Sequence, residues 1–288
     1  MLIILLSFFD RLLLILLISS KMTNTLASIT YEDDITIITL DDGKVNAFSY
    51  DMLTQVHRLL DEVPQKSGAL IIKGRNGIFS GGFDLKTLAS GDLSKITKMI
   101  ESGYNLILKL YSFDRPIIAA VSGHAIALGL FVACCSDYRI AIDGKYICHA
   151  NEVRNNMVIT DQIMEILKER VNKKYFYSAI YHADPFSVKD AIDVGYIDEV
   201  ISEDRFMERV NEKAKELASL PHPFYANTKK TAQKERRKKI SVSIKKYEIQ
   251  SSAAATSRRA FSANAKPQSG RAGPRSTLAK PDVLPSHK

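Results

Sequence analysis

Short β-branched runs and stretches of helical period take turns along the first half of this chain. SITYEDDITIITLDD reads as two strands about a tight acidic turn, and Ser49 is placed to cap a helix whose apolar face is Met52, Leu53, Val56, Leu59, Leu60 and Val63. ALIIKG (69–74) is a continuous apolar strand. A helix carrying Ile96, Met99, Ile100, Tyr104, Ile107, Leu110 and Tyr111 follows, then the strand PIIAAVSG (116–123), then AIALGLFVACCS, apolar all round and so read as a buried helix. Strand, helix, strand, helix implies parallel pairing and an α/β fold. YRIAID and KYICHA add two strands, and the remainder from Thr160 is mostly helical, including an amphipathic segment over Asp204–Leu220.

The two ends differ from this body. Of the 40 basic residues, 14 lie between Lys234 and Lys288 with only 3 of the 32 acidic ones, so the formal charge of +8 belongs to the tail and the body is slightly acidic. From Ser251 the tail is rich in Ala, Ser, Pro and Arg without apolar periodicity, and 251–288 is expected to be disordered. Residues 1–25 are an apolar segment opening MLIILLSFFDRLLLILLISSKM, broken by Asp10 and Arg11. Those two charges cost roughly 5–7 kcal/mol in a membrane helix, which makes spanning marginal. The segment is read as an upstream extension, a signal or an anchor, and membrane contact by residues 1–21 stays open. Three cysteines exclude a disulfide framework, and the expected location is the cytoplasm, or an organelle matrix in a eukaryote. Between the ends, residues 26–250 read as one domain long enough to bury a full core.

Several familiar signatures are absent. There is no GxGxxG after a strand, no P-loop lysine, no HExxH, no CxxC and no GxSxG. The six histidines form no ligand spacing, and no metal site is expected. His124 and His149 read as structural, and Cys134 and Cys135 as small hydrophobes inside the buried helix. What remains is a pair of segments of one design: a buried strand, a small-residue turn and a helix start. They are IIKGRNGIFSGGFDLK (71–86) and AAVSGHAIALGL (119–130). Backbone N–H groups at such helix starts are natural donors to a developing oxyanion, and two of them converging would make an oxyanion hole. Taken alone, each segment reads more readily as an ordinary strand-to-helix turn.

Together with KYICHANEV (145–153), the segments FSGGFDLKTLASGD (79–92) and RPIIAAVSGHAIALGLFVACCSDYRIA (115–141) resemble the crotonase family, the enoyl-CoA hydratase/isomerase superfamily. The likeness runs from about Thr30 to Lys230 with the order and spacing of the segments kept. It implies a crotonase-like spiral of ββα units with a helical C-terminal region, assembly as a homotrimer or dimer of trimers, and an acyl-CoA thioester as substrate without a further cofactor. It places the oxyanion amides at Phe83 and Leu128. The Lys44, Val45, Ala47 segment resembles the family stretch along the pantetheine and adenine, and Lys86 the position that meets the CoA phosphates. Gly81, Gly82, Asp84 and Leu85 of the first turn, with Gly129 and Phe131 of the second, complete the expected substrate-binding set.

The carboxylates decide the reaction that the resemblance implies. Hydratases of the family use two glutamates, one falling here on Phe131 and one on Glu152. Water addition needs one carboxylate to deprotonate water while another protonates carbon, and a phenyl ring does neither. A lone glutamate fits Δ3,Δ2-enoyl-CoA isomerisation, in which one carboxylate removes a proton from C2 of a 3-enoyl thioester and returns it at C4. An enoyl-CoA isomerase is therefore expected, with a hydratase or another lyase of the family as the alternative. From a different class, a non-catalytic RNA or anion binder would use the run KKTAQKERRKK (229–239), though a basic helix face is more often simply solvated.

Four residues depart from the family pattern. Where relatives have apolar residues and then glycine after the glutamate, this chain has Arg154, Asn155 and Asn156. Asn tolerates a left-handed backbone, so the turn is expected to survive. Arg154 is expected to draw Glu152 into an ion pair and depress its pKa. Leu128, bulky where many relatives have glycine, is expected to narrow the acyl channel.

Overall fold

The computed structural model describes residues 25–264, so the apolar segment read as an extension, signal or anchor lies almost wholly outside the described residues. Strands β1 (Ala27–Glu32) and β2 (Ile35–Leu40) pair antiparallel about the acidic turn, with Ala27 opposite Leu40 and Asp33 at positive φ. Helix α1 (Tyr50–Glu62) starts where expected: the Ser49 hydroxyl accepts from the Met52 N–H, and Met52, Leu53, Val56, Leu59 and Leu60 are buried. The chain then runs through β3 (Ala69–Lys73), β4 (Gly77–Ser80), α2 (Leu85–Ala89), α3 (Leu93–Tyr111), β5 (Ile117–Val121), β6 (Gly123–Ile126) and α4 (Leu128–Cys134). It continues through β7 (Tyr138–Ile142), β8 (Ile147–His149), α5 (Asp161–Arg170), β9 (Phe186–Ser187), α6 (Asp190–Val194), β10 (Glu199–Ile201), α7 (Phe206–Ala218) and α8 (His222–Asn264).

The strands sort into two sheets, in the orders β1-β2-β3-β5-β7-β10 and β4-β6-β8-β9. All neighbours in the larger sheet beyond β1 are parallel, as strand–helix alternation requires. The second strands, β4, β6 and β8, pair parallel in the smaller sheet. Each of the pairs β3–β4, β5–β6 and β7–β8 thus puts its first strand in the larger sheet and its second in the smaller, and the chain winds as a spiral. The main core fills the space between the sheets and α1, α3, α4 and α5, while α7 covers the outer face of the larger sheet with Phe206, Val210 and Ala214.

The small sheet is where the sequence reading needs correction. PIIAAVSG does not form one strand, because β5 ends at Val121 and the chain changes sheet at Ser122 before β6 begins. β4 sits inside a segment read only as a turn. Strands of two to four residues are too short to display a period, so only pairing reveals them. The C-terminal helix is longer than expected: α8 passes Gln250 and ends at Asn264, inside the segment expected to be disordered. Ala and Arg there are good helix formers, and extending an existing helix avoids the cost of nucleation. Residues 265–288 of that tail lie outside the described residues.

The basic run on α8 is partly engaged within the fold. Lys229 pairs with Asp137, Lys230 with Asp114, and Arg236 with Glu169. These contacts hold α8 against α5 and the ends of β5 and β7. Among the described residues, no helix is long and apolar enough to cross a membrane.

Candidate active site

The two small-residue turns meet. The first, leaving β4, is zipped to the 45–48 segment: the Gly81 N–H donates to the Val45 carbonyl and the Phe48 N–H to the Gly82 carbonyl, each at 2.8 Å, and the Asp84 N–H reaches the Phe48 carbonyl at 3.4 Å. In such a parallel bridge the groups of Gly82 and Asp84 face Phe48, so the Phe83 N–H points the other way. That side is the start of α4. A methyl group at Gly82, which has φ +90°, would lie 2.8 Å from the Ala127 Cβ and 3.3 Å from the Leu128 nitrogen. Gly129 presses on the same strand, since a Cβ there would lie 2.5 Å from the Ser80 carbonyl oxygen.

The second turn stores strain. Ala127, a non-glycine residue, sits at φ 49°, ψ −127°, and its N–H is tied to the His149 carbonyl at 2.9 Å. The first-turn amides of α4, beginning with Leu128, have no acceptor inside the helix. Among the described residues, neither the Phe83 nor the Leu128 N–H has a protein acceptor. Two amides without a protein acceptor thus belong to residues that line one cavity.

Glu152 reaches that space from a third element. It follows β8 and opens a one-turn helix over Val153–Asn155, with its carbonyl accepting from Asn155 and Met157 at 2.9 Å. Asn156 closes the turn at φ 57°, the left-handed conformation expected of it. The residue is 8% exposed, and its Oε2 atom is buried without a hydrogen-bond partner. Burial pushes the carboxyl up to about 7, with its own amide acting in the opposite sense. Phe83, Leu128, Phe131, Tyr104 and Ile159 share with it a cavity of about 70 Å³ in which Glu152 is the one carboxylate.

Arg154 does not pair with Glu152. Its guanidinium donates to Asp184 at 2.5 Å and to the His182 carbonyl at 3.1 Å, outside the cavity. The expected ion pair is absent because a half-exposed carboxylate across the loop competes for the guanidinium without the cost of burying it. Asp184→Asn is accordingly expected to free Arg154, two residues from the glutamate, and to lower the Glu152 carboxyl pKa below about 7. Carboxyl carbon NMR titration reads this directly, with Arg154→Ala leaving the value in place.

The remaining expected residues fall around this centre. Lys44, Val45, Leu85 and Lys86 are exposed beside the first turn, and Val45 and Leu85 are 53% and 73% exposed. Asp84 caps α2: burial raises its carboxyl pKa, but the Thr87 hydroxyl and the Thr87 and Lys86 amides outweigh that and hold it low. Phe131 is buried in α4, facing the cavity. His124 and His149 are structural, accepting from the Ile147 N–H and contacting the Ala183 carbonyl. The cysteines are buried, and no group of three His, Cys, Asp or Glu suited to a metal occurs among the described residues.

Three important residues escaped the sequence reading. The Asp42 carboxylate collects the amides of Lys44, Asn46 and Ala47 at 2.7, 2.8 and 2.9 Å, and so shapes the exposed segment. Asn46, fully buried at φ 51°, accepts from the Ser80 hydroxyl and donates to the Phe79 carbonyl, which fixes that segment to β4. The D-D-G-K-V-N run carried this signal, since Asp and Asn bond nearby backbone in turns. Tyr104, on the apolar face of α3, lines the cavity with Glu152, a role its helical period does not signal.

The enoyl-CoA hydratase/isomerase family model matches residues 30–267. The chain belongs to this family. Crotonase-family proteins similar to it include the mitochondrial enoyl-CoA delta isomerase 1 of Mus musculus, 26% identical over 175 residues, which are 59% of this chain and 61% of the mouse protein. A probable enoyl-CoA hydratase of Bacillus subtilis is 27% identical over 195 residues, 67% of this chain and 74% of that one. Among solved structures, a probable enoyl-CoA hydratase of Mycobacterium tuberculosis is 33% identical at a TM-score of 0.74, covering 82% of this chain and 99% of its own. The same M. tuberculosis protein, in a second structure described as an enoyl-CoA isomerase, is also 33% identical, at 0.72, covering 79% and 99%. Both activities are thus represented among the family members that this chain matches, and the family to which it belongs is one of acyl-CoA enzymes.

Proposed function

We propose that this chain moves the double bond of a 3-enoyl-CoA to the 2-position, with Glu152 as the single acid/base. The observation that supports this reading is the one carboxylate in the cavity, where Phe131 stands in place of a second. The thioester carbonyl oxygen sits between the Phe83 and Leu128 amides, with the CoA moiety running past Lys44–Ala47 toward Lys86. Glu152 takes a proton from C2, the electron pair spreads into a dienolate held by the two amides, and the same carboxyl returns the proton at C4 as the double bond moves into conjugation. An α-proton beside a thioester is too weakly acidic for an ordinary carboxylate. The amides lower the barrier, each by about 2.7–4 kcal/mol in comparable oxyanion sites, and the dry cavity makes the carboxylate a stronger base.

Glu152 must be ionised to act, so kcat/KM is expected to rise with pH and reach half its plateau near pH 7. Incubation with 3-hexenoyl-CoA and, separately, with crotonyl-CoA tests the assignment. Conjugation should greatly exceed hydration, and dominant hydration would sink it.

A further inference from the structure

Helix α5 opens differently from α1, α2 and α3. Ser49, Asp84 and Asp92 each accept a backbone N–H at the start of those three helices. Thr160 holds the same position ahead of α5, with the extended backbone of a cap at φ −74° and ψ 160°, yet its side chain makes no capping hydrogen bond. Its Oγ1 atom is instead buried without a hydrogen-bond partner. Thr160 lines the catalytic cavity together with Glu152 and Tyr104. Burial raises the Tyr104 phenol above its ordinary pKa, the Thr160 hydroxyl acts in the opposite sense, and the Glu152 charge adds to the rise, so both groups act on the phenol at close range.

A hydroxyl that is buried, caps nothing and has no other partner is costly, and a residue that breaks a local rule in this way marks a functional position. Much of the cavity wall is apolar, with Phe83, Leu128, Phe131, Ile159 and Ile163. A hydrocarbon acyl chain would pack against that wall and leave Oγ1 unpaired. An acyl chain with an oxygen of its own would satisfy it. The proposed reaction says where that oxygen belongs: C2 to C4 carry the moving proton and double bond, so the oxygen lies at C5 or beyond.

We propose that Thr160 is a specificity-determining residue whose hydroxyl selects an acyl group bearing a carbonyl or hydroxyl oxygen at C5 or beyond. This rests on reading the cavity as the acyl site, and it adds the class of acyl group to that reading.

Calorimetric titration of the full-length protein with hexanoyl-, 5-oxohexanoyl- and 6-hydroxyhexanoyl-CoA, which share one chain length, tests it apart from the chemistry. At least one oxygenated chain should bind about tenfold tighter than hexanoyl-CoA, the effect of one hydrogen bond to a hydroxyl otherwise left unpaired. Thr160→Val keeps the shape of the side chain and removes the hydroxyl. It should bring the three affinities together while leaving hexanoyl-CoA binding in place. Equal binding of all three by the wild type would overturn the proposal, as would a preference that survives in Thr160→Val. A hexanoyl-CoA affinity that falls along with the others in the variant would assign the hydroxyl to a bridging water and overturn it too. Selective binding without isomerisation would keep the subsite and remove the proposed chemistry. Absence of acyl-CoA binding would overturn both.

Discussion

Glu152→Gln is expected to reduce isomerisation by about 10³-fold or more while raising stability at alkaline pH. The amide cannot carry the proton between C2 and C4, and general-base contributions are typically 10²–10⁴-fold. The stability effect has a definite sign. The folded state holds the Glu152 proton up to about pH 7 against 4.5 for an exposed glutamate, so between those values the native state binds more protons than the unfolded one. Stability therefore falls as pH rises through that window, and above it the buried carboxylate costs about 3 kcal/mol. Glutamine never ionises, though its amide leaves donors unpaired, so the net gain at pH 8 is about 1–2 kcal/mol. Thermal unfolding of both proteins at pH 4 and pH 8 checks this: the gain should be present at pH 8 and gone at pH 4. A wild-type rate in the variant would remove Glu152 from the mechanism.

Gly82→Ala should also be nearly inactive, for a purely steric reason. The new methyl group would stand 2.8 Å from the Ala127 Cβ and 3.3 Å from the Leu128 nitrogen, at a backbone φ of +90° that alanine adopts only under strain. The Leu128 amide, proposed as an oxyanion donor, must move, and losing such a donor typically lowers kcat by about 10²–10³-fold, alongside about 1–3 kcal/mol of stability. Adding Ala127→Gly to this variant removes the 2.8 Å contact and relieves the residue held at φ 49°. Part of the lost kcat should return in the double variant, with KM little changed. A double variant no better than Gly82→Ala would show that the amide is not displaced by this contact.

Much of this site could be read before any coordinates. The strand–turn–helix pairs, the capping Ser49, the buried face of α1 and the left-handed Asn156 depend on neighbours within a few residues, and the structure places them as expected. The two turns carrying Phe83 and Leu128 were legible for the same reason. Local chemistry missed what depends on distant partners. β4 and β6 are too short to show a period and exist because they pair with each other. Asn46 looked like a loop residue until Ser80 and Phe79 closed around it.

Arg154 draws the dividing line most clearly. Sequence proximity placed a cation beside Glu152, and proximity along the chain is all that a sequence measures. The fold brings Asp184 to Arg154 and leaves Glu152 among Leu128, Phe131 and Tyr104, so burial rather than a counter-ion determines how tightly it holds its proton. Sequence alone determined the family, the alternating strands and helices, and the pairing of Phe131 with Glu152 at the two positions on which the proposed reaction turns. Tertiary structure decided that this glutamate is buried without a counter-ion, in a cavity it shares with Phe83 and Leu128. Those properties arise from groups far apart in the chain, because desolvation and ion pairing depend on what surrounds an atom in space.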